Sequence, residues 1–381
     1  MDILNHSIEV ILANQDQGGA YIASPAFPTY HYCWLRDGSF IAHSMDRAGQ
    51  YESAVKYFRW VGRTIQRYAG KVDVLAVQLK AGKKPDHQGI LNTRFSLDGE
   101  EEGSESGWGN FQIDGYGTWL WALAEHVRLS DDTSLLKELS QPIQTTLRYL
   151  ELTWDLPNYD CWEEHPEYLH PYTLASVFAG FDSIATLIRN GKMEAGSVDA
   201  GELASQVKTF LLNYAVDDGR LVKHILPASK KNPPKAVTLR GVDSSLIAVT
   251  IPYNVLSPKN EVMQATIQKI VTDLYRVDGG VYRYKADVYY GGGEWLLLTA
   301  WLGWYFAQNG DIEQAETMRA WMESQADAAG NLPEQVSDHT LAPEHFDEWL
   351  NKWGPIASPL LWSHAMYIVL VKAIEEAKSR P

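Results

Sequence analysis

Two glutamates in aromatic or Pro-led loops are the residues most able to do chemistry. Glu163 lies in Asp160-Cys161-Trp162-Glu163-Glu164-His165, and Glu334 lies about 170 residues further on in Asn331-Leu332-Pro333-Glu334-Gln335. A carboxyl beside an indole can have its pKa raised by the apolar neighbour, as a general acid at neutral pH requires. A carboxylate fixed in a rigid turn can take a proton. Singly, each has an ordinary explanation: a Glu-Glu pair is usually solvated loop charge, and Glu334 an unremarked loop residue.

Three other segments carry polar groups among aromatics. Tyr30-His31-Tyr32-Cys33-Trp34-Leu35-Arg36-Asp37-Gly38 and Trp108-Gly109-Asn110-Phe111-Gln112-Ile113-Asp114-Gly115 each set a Trp near hydrogen-bonding groups suited to a hydroxylated ligand. Arg36-Asp37 also fits a surface pair in which Asp37 caps a helix. Arg283-Tyr284-Lys285-Ala286-Asp287-Val288-Tyr289-Tyr290-Gly291-Gly292-Gly293-Glu294-Trp295 joins a cation and tyrosines to a triple glycine expected to let backbone approach a ligand. The Walker arrangement of glycines before Lys-Ser/Thr is missing from it, so a phosphate cradle is not indicated.

The composition narrows the ligand. A net charge of -15 disfavours a phosphate backbone, which is bound by clustered Lys and Arg. The chain has 14 Trp and 20 Tyr, and flat amphipathic rings stack on the apolar faces of sugars, so a small oligosaccharide is the expected partner. Two cysteines, Cys33 and Cys161, supply neither a disulfide framework nor a four-thiolate metal site. A zinc-dependent helical-barrel enzyme using them with His165 is the alternative; packing beneath a pocket is the reading preferred, with no metal or cofactor. No run of roughly 18 uninterrupted apolar residues suggests a membrane span, and no basic-then-apolar leader opens the chain, so a cytoplasmic protein is expected.

Helical periodicity recurs throughout, while period-two strands are scarce. Helices are expected at roughly 2–14, 38–49, 51–68, 115–129, 132–154, 172–190, 199–214, 243–256, 260–275, 293–308, 311–327 and 358–377. Even-numbered members such as LASVFAGFDSIATL and LLLTAWLGWYF are apolar nearly all round; odd-numbered ones, such as 51–68 with Lys56, Arg59, Arg63 and Arg67, are one-sided. An inner and an outer ring of six helices satisfies both, an all-α (α/α)6 barrel spanning residues 1–381 as one catalytic domain. The long loops precede the inner helices, so all five motifs should emerge at one end.

In that order the motifs resemble glycoside hydrolase family 15, the glucoamylase-like enzymes: Trp-x-Arg-Asp, Trp-Gly near Gln-x-Asp-Gly, Trp-Glu-Glu, Arg-Tyr with Tyr-Tyr-x-Gly and a Trp, and Glu-Gln. The resemblance implies an inverting, exo-acting α-glucoside hydrolase needing no cofactor, its two carboxyls roughly 6.5–9.5 Å apart with a water between one of them and the anomeric carbon. By match, Glu163 is the general acid and Glu334 the general base, with Tyr30 helping to hold the water. Glu164 would hold the sugar across the scissile bond, Arg36, Asp37 and Arg283 would grip the terminal glucose, and Trp34, Trp108, Trp162 and Trp295 would shape the walls. Leu35 replaces the family's common proline, residues 336–355 with Trp349 and Trp353 run longer than expected, and neither a starch-binding nor an amino-terminal β-domain is expected. These departures favour short substrates, isomaltose or isomalto-oligosaccharides before α-1,4 glucans. A trehalase-type activity and a non-catalytic sugar-binding barrel are the competing readings.

Overall fold

The structure, a computed structural model, describes residues 2–102, 107–238 and 241–380. Among these, the helices in chain order are α1 Ile3–Ala13, α2 Leu35–Arg47, α3 Tyr51–Arg67, α4 Gly70–Lys80, α5 Asp114–Ser130, α6 Ser134–Glu138, α7 Ser140–Thr153, α8 Pro171–Arg189, α9 Ala200–Tyr214, α10 Glu261–Leu274, α11 Leu296–Gln308, α12 Ile312–Ser324, α13 Phe346–Trp353 and α14 Leu361–Ser379. Capping side chains start several of them: Asp2 accepts from Asn5 N at 3.1 Å, Asp199 from Glu202 N at 3.0 Å and Asp311 from Gln314 N at 3.2 Å.

The inner ring is α2, α5, α8, a 3-10 turn at Ser244–Val249, α11 and α14, each against the next, with α14 closing on α2. Outside it, α3 packs on α2, α7 on α5, α9 on α8, α10 on the 3-10 turn, α12 on α11 and α1 on α14. This is the (α/α)6 barrel. The outer helices bury one face only, as α3 does with Ala54, Tyr57, Phe58, Val61 and Ile65. At α5 and α8 the backbones nearly touch, since a Cβ on Gly117 would stand 2.4 Å from Ser176 O.

An aromatic plug fills the barrel axis. Phe40 of α2 neighbours Trp362 of α14 (5.4 Å), Trp301 of α11 (5.5 Å) and Trp121 of α5 (5.8 Å); Tyr172 of α8 stacks on Trp301 at 6.0 Å, and Tyr253 lies 5.9 Å from Tyr172 and 5.8 Å from Trp121. Such pairs add about 0.5–1.5 kcal/mol each beyond area burial.

The expected eighth helix, 243–256, is not one. Only the 3-10 turn forms, capped by Asp243 on Ser245 N at 2.8 Å, because Pro252 bars its predecessor from helical backbone. The expected 132–154 helix breaks at Leu139 into α6 and α7, which places Pro142 in a first turn where its missing N–H is harmless. Two helices were not expected. α4 leaves Val74 and Val77 exposed and so has no one-sided pattern, and α13 is short, with none of its residues fully buried. α8 is long and apolar enough to cross a membrane by composition, yet 78% of that window is buried within the protein, where it serves as an inner barrel helix.

Candidate active site

Short strand pairs pin the loops at one end of the barrel. Cys33–Trp34 pairs antiparallel with Arg94–Phe95, setting Trp34 opposite Arg94, and Glu294–Trp295 pairs with both Val281–Tyr282 and Gln335–Val336. Trp295 therefore faces Gln335, the residue after Glu334. These ladders surround a cavity of about 390 Å³. Every site residue expected from sequence lines it: Tyr30, Trp34, Arg36, Asp37, Trp108, Trp162, Glu163, Glu164, Arg283, Trp295 and Glu334.

Arg36 and Asp37 do not form a surface pair. α2 begins at Leu35, earlier than expected, so both lie in its first turn, 5% and 8% exposed. The Arg36 guanidinium donates to Gln112 Oε1 at 3.1 Å and to Asp114 Oδ2 at 3.3 Å, and lies 3.3 Å from Asp37 and 5.3 Å above the Trp362 ring. Burial outweighs Arg36 and raises the Asp37 carboxyl to about 6.

The loop that carries Glu163 is held from below. Asp160 Oδ1 accepts from the backbone N–H of Trp162 (3.0 Å) and of Glu164 (2.9 Å), bracketing Glu163, whose φ of 66° lies in the left-handed region. Holding a non-glycine residue there costs of order 1–3 kcal/mol, so the surrounding contacts over-determine the conformation. Glu163 Oε1 accepts from Trp34 Nε1 at 2.5 Å and lies 3.8 Å from Arg36. Its pKa is raised, with burial prevailing over Arg36 and the indole N–H. Trp162 Nε1 donates to Asp243 at 3.0 Å, and Lys223 in turn pairs with Asp243 at 3.1 Å.

Glu334 is 4% exposed, and burial raises its carboxyl to about 7 despite the hydrogen bond from Tyr30 and the nearby Arg283. Oε1 accepts from the Tyr30 hydroxyl at 3.0 Å, while Oε2 has no hydrogen-bond partner among the described residues. One short loop thus touches both carboxyls, through Tyr30 at one and Trp34 at the other. Across the cavity Arg283 forms a buried pair with Asp287 (Nε to Oδ2, 2.7 Å) and approaches Glu164 to 3.6 Å, and the Tyr284 hydroxyl donates to Glu164 Oε2. Trp162, Tyr289 and Trp295 surround Arg283, their centroids 5.2, 5.3 and 5.1 Å from its Cζ.

The triple glycine does not line the cavity. Gly291 and Gly292 have φ of 75° and 69°, and Cβ atoms on Gly292 and Gly293 would collide with Asp287 O and Val336 O, so their role is close packing of this chain's own backbone. Cys33 and Cys161 are buried free thiols, Cys161 on the cavity wall. Neither belongs to the metal-competent group among the described residues, Asp160, His170 and His224, whose donor atoms lie within 4.8 Å of one another. There His170 Nε2 meets Asn158 O at 2.8 Å and Nδ1 meets His224 Nδ1 at 3.1 Å; burial holds the His170 pKa down to about 3.

Several contributors were not foreseen as site residues. Tyr289 lies 2.9 Å from Tyr30, hydroxyl to hydroxyl; Arg94 lies 3.6 Å from the Trp108 ring centroid; Gln112 and Asp114 clamp Arg36; Lys352 lines the rim. Tyr289, Gln112 and Asp114 stood inside the quoted motifs, whereas Arg94 is 60 positions from its Trp34 partner and had no local signal.

Comparison with known proteins assigns the family. The sequence profile of glycosyl hydrolases family 15 matches residues 1–372. The chain belongs to this family. As a family 15 glycoside hydrolase it is 40% identical to the isomaltose glucohydrolase of Kribbella flavida, over 97% of this chain and 91% of that protein. It superposes on a solved glycosidase variant in complex with glucose with a TM-score of 0.89, at 38% identity, covering 98% of this chain and 96% of the other. A bacterial glucoamylase complexed with acarbose shares the fold at 20% identity and a TM-score of 0.71, this chain spanning 55% of its length.

Proposed function

We propose that this family 15 hydrolase is an inverting, exo-acting α-glucosidase of short substrates, isomaltose or isomalto-oligosaccharides, and that residues 1–381 form one catalytic unit. The observation carrying the reading is the pair of buried carboxyls, Glu163 and Glu334, lining one cavity, with Tyr30 and Trp34 of a single loop donating one to each.

Glu163 is the general acid. Burial favours its neutral form, the one able to protonate the glycosidic oxygen. Glu334 is the general base, and its unpartnered Oε2 is free to accept the proton of the attacking water while Tyr30 holds Oε1. Inversion follows from attack on the face opposite the leaving group, and the sugar released is β-glucose. Arg36 and Asp37 on the buried floor offer adjacent donors and acceptors to the terminal sugar, which enters end first, so cleavage is exo. The 40% identity to an isomaltose glucohydrolase supports α-1,6 linkages as the preferred target.

The test is glucose release from isomaltose, panose, maltose, trehalose and soluble starch by wild type, Glu163→Gln and Glu334→Gln. The proposal expects isomaltose to lead and both variants to be nearly inactive. Trehalose leading, or full activity in either variant, would overturn the substrate or the residue assignment respectively.

A further inference from the structure

Resting on that reading, we infer that helix α13 is the aglycone-side wall of the pocket, with Lys352, Trp349 and Trp353 recognising the sugar beyond the scissile bond and favouring aglycones of one or two rings. All three line the cavity. Burial orders the lining from end to end: Arg36, Asp37, Glu334 and Trp362 are nearly inaccessible, Trp349 and Trp353 are half-buried, and Lys352 is exposed. In a pocket whose floor takes the terminal glucose, the half-exposed end is where the rest of the substrate must lie.

The segment is fixed rather than draped. Leu341 N and Ala342 N donate to Gly292 O (3.1 Å) and Gly291 O (2.8 Å) at its start, and the Tyr290 hydroxyl donates to Gly354 O (2.7 Å) at its end. Between these ties Trp349 packs edge-on against Tyr289 at 4.9 Å, the tyrosine that also contacts Tyr30. The wall is thereby joined to the loop that holds both carboxyls.

Charge singles out Lys352. Of the three cationic side chains lining the cavity, Arg36 and Arg283 are locked by buried carboxylates, whereas Lys352 has no carboxylate partner among the described residues. Its ammonium lies 4.9 Å from the ring centroids of both Trp349 and Trp353. A cation held over two indoles keeps three N–H donors for aglycone hydroxyls, and the rings supply faces for stacking. The cavity volume of about 390 Å³ sits near the small end of the roughly 300–1,000 Å³ usual for ligand sites, which suits a disaccharide better than a polymer.

The experiment compares isomaltose with α-glucosyl fluoride, whose one-atom aglycone cannot reach α13, in wild type, Lys352→Ala and Trp349→Ala, with thermal unfolding of each recorded. We expect the ratio of kcat/KM for isomaltose to that for α-glucosyl fluoride to fall at least tenfold in both variants, and wild-type kcat/KM to decline from isomaltotriose to isomaltohexaose. An unchanged ratio in correctly folded variants, or no decline with length, overturns the wall assignment while leaving the hydrolase reading intact. Wild type that hydrolyses neither compound removes the hydrolase reading and this inference with it.

Discussion

The barrel axis and the pocket beyond it are both built from aromatic rings, but the rings are used differently. In the plug, Phe40, Trp121, Tyr172 and Trp301 meet mainly one another, and among the described residues Trp301 Nε1 reaches only the Met366 sulfur at 2.9 Å. In the pocket several polar tips hold carboxyls: Trp34 that of Glu163, Trp162 that of Asp243, Tyr30 that of Glu334 and Tyr284 that of Glu164. Filling space needs only ring volume, whereas holding a carboxyl needs the N–H or O–H of a ring that packing has made rigid. Trp362 belongs to both sets, lying in the plug against Phe40 and lining the cavity beneath Arg36.

Breaking the proposed acid–base pair should show the contrast most strongly. Glu163→Gln and Glu334→Gln should each lower kcat by roughly 10²–10⁴-fold on isomaltose with the circular dichroism spectrum unchanged. Trp301→Ala, at the plug, should instead cost roughly 3–5 kcal/mol of stability in denaturant unfolding. A Trp301→Ala protein as stable as wild type would end the claim that the plug is structural.

The carboxyl proposed as the base should also burden stability. Glu334 is raised from 4.5 to about 7 in the folded chain, so its neutral form favours folding at low pH and that contribution is lost as pH rises from the unfolded value through about 7. Above that range Glu334→Gln should be more stable than wild type by up to roughly 3 kcal/mol, and the difference should vanish near pH 4. Thermal unfolding of the two proteins across pH checks the sign.

Activity has its own pH signature. The base works ionised and the acid neutral, so kcat/KM should be bell-shaped in pH, with one limb near 7 from Glu334 and the other set by the raised Glu163. Trp34→Phe removes a donor that favours Glu163 ionised, so the limb belonging to Glu163 should move to higher pH, with activity reduced about tenfold or more. Tyr289→Phe should give the smallest effect, the limb belonging to Glu334 displaced upward by less than about one pH unit, because its hydroxyl helps to keep Glu334 ionised. A downward displacement would contradict that role.

The ring architecture was readable because inner helices such as α8 and α11 are apolar on all sides while α3 and α12 are not, a difference that burial imposes on composition directly. The site was readable where its residues share a local motif, as Arg36 with Asp37 and Glu163 with Glu164 do. What the sequence concealed had no local trace. The 3-10 turn replaces an inner helix because neighbouring helices complete the ring around a segment that Pro252 cuts short; Arg94 reaches Trp34 only through strand pairing; and α13 holds its place by backbone bonds to residues 291 and 292. The three glycines misled for a related reason: a backbone that permits close approach does not specify whether a ligand or the chain itself approaches.

The most direct test of the account is the anomer first released from isomaltose, followed by NMR before mutarotation. Two carboxyls acting as acid and base on opposite faces of the sugar require β-glucose to appear first. First appearance of α-glucose would mean retention through a covalent intermediate, and the roles given to Glu163 and Glu334 would be wrong.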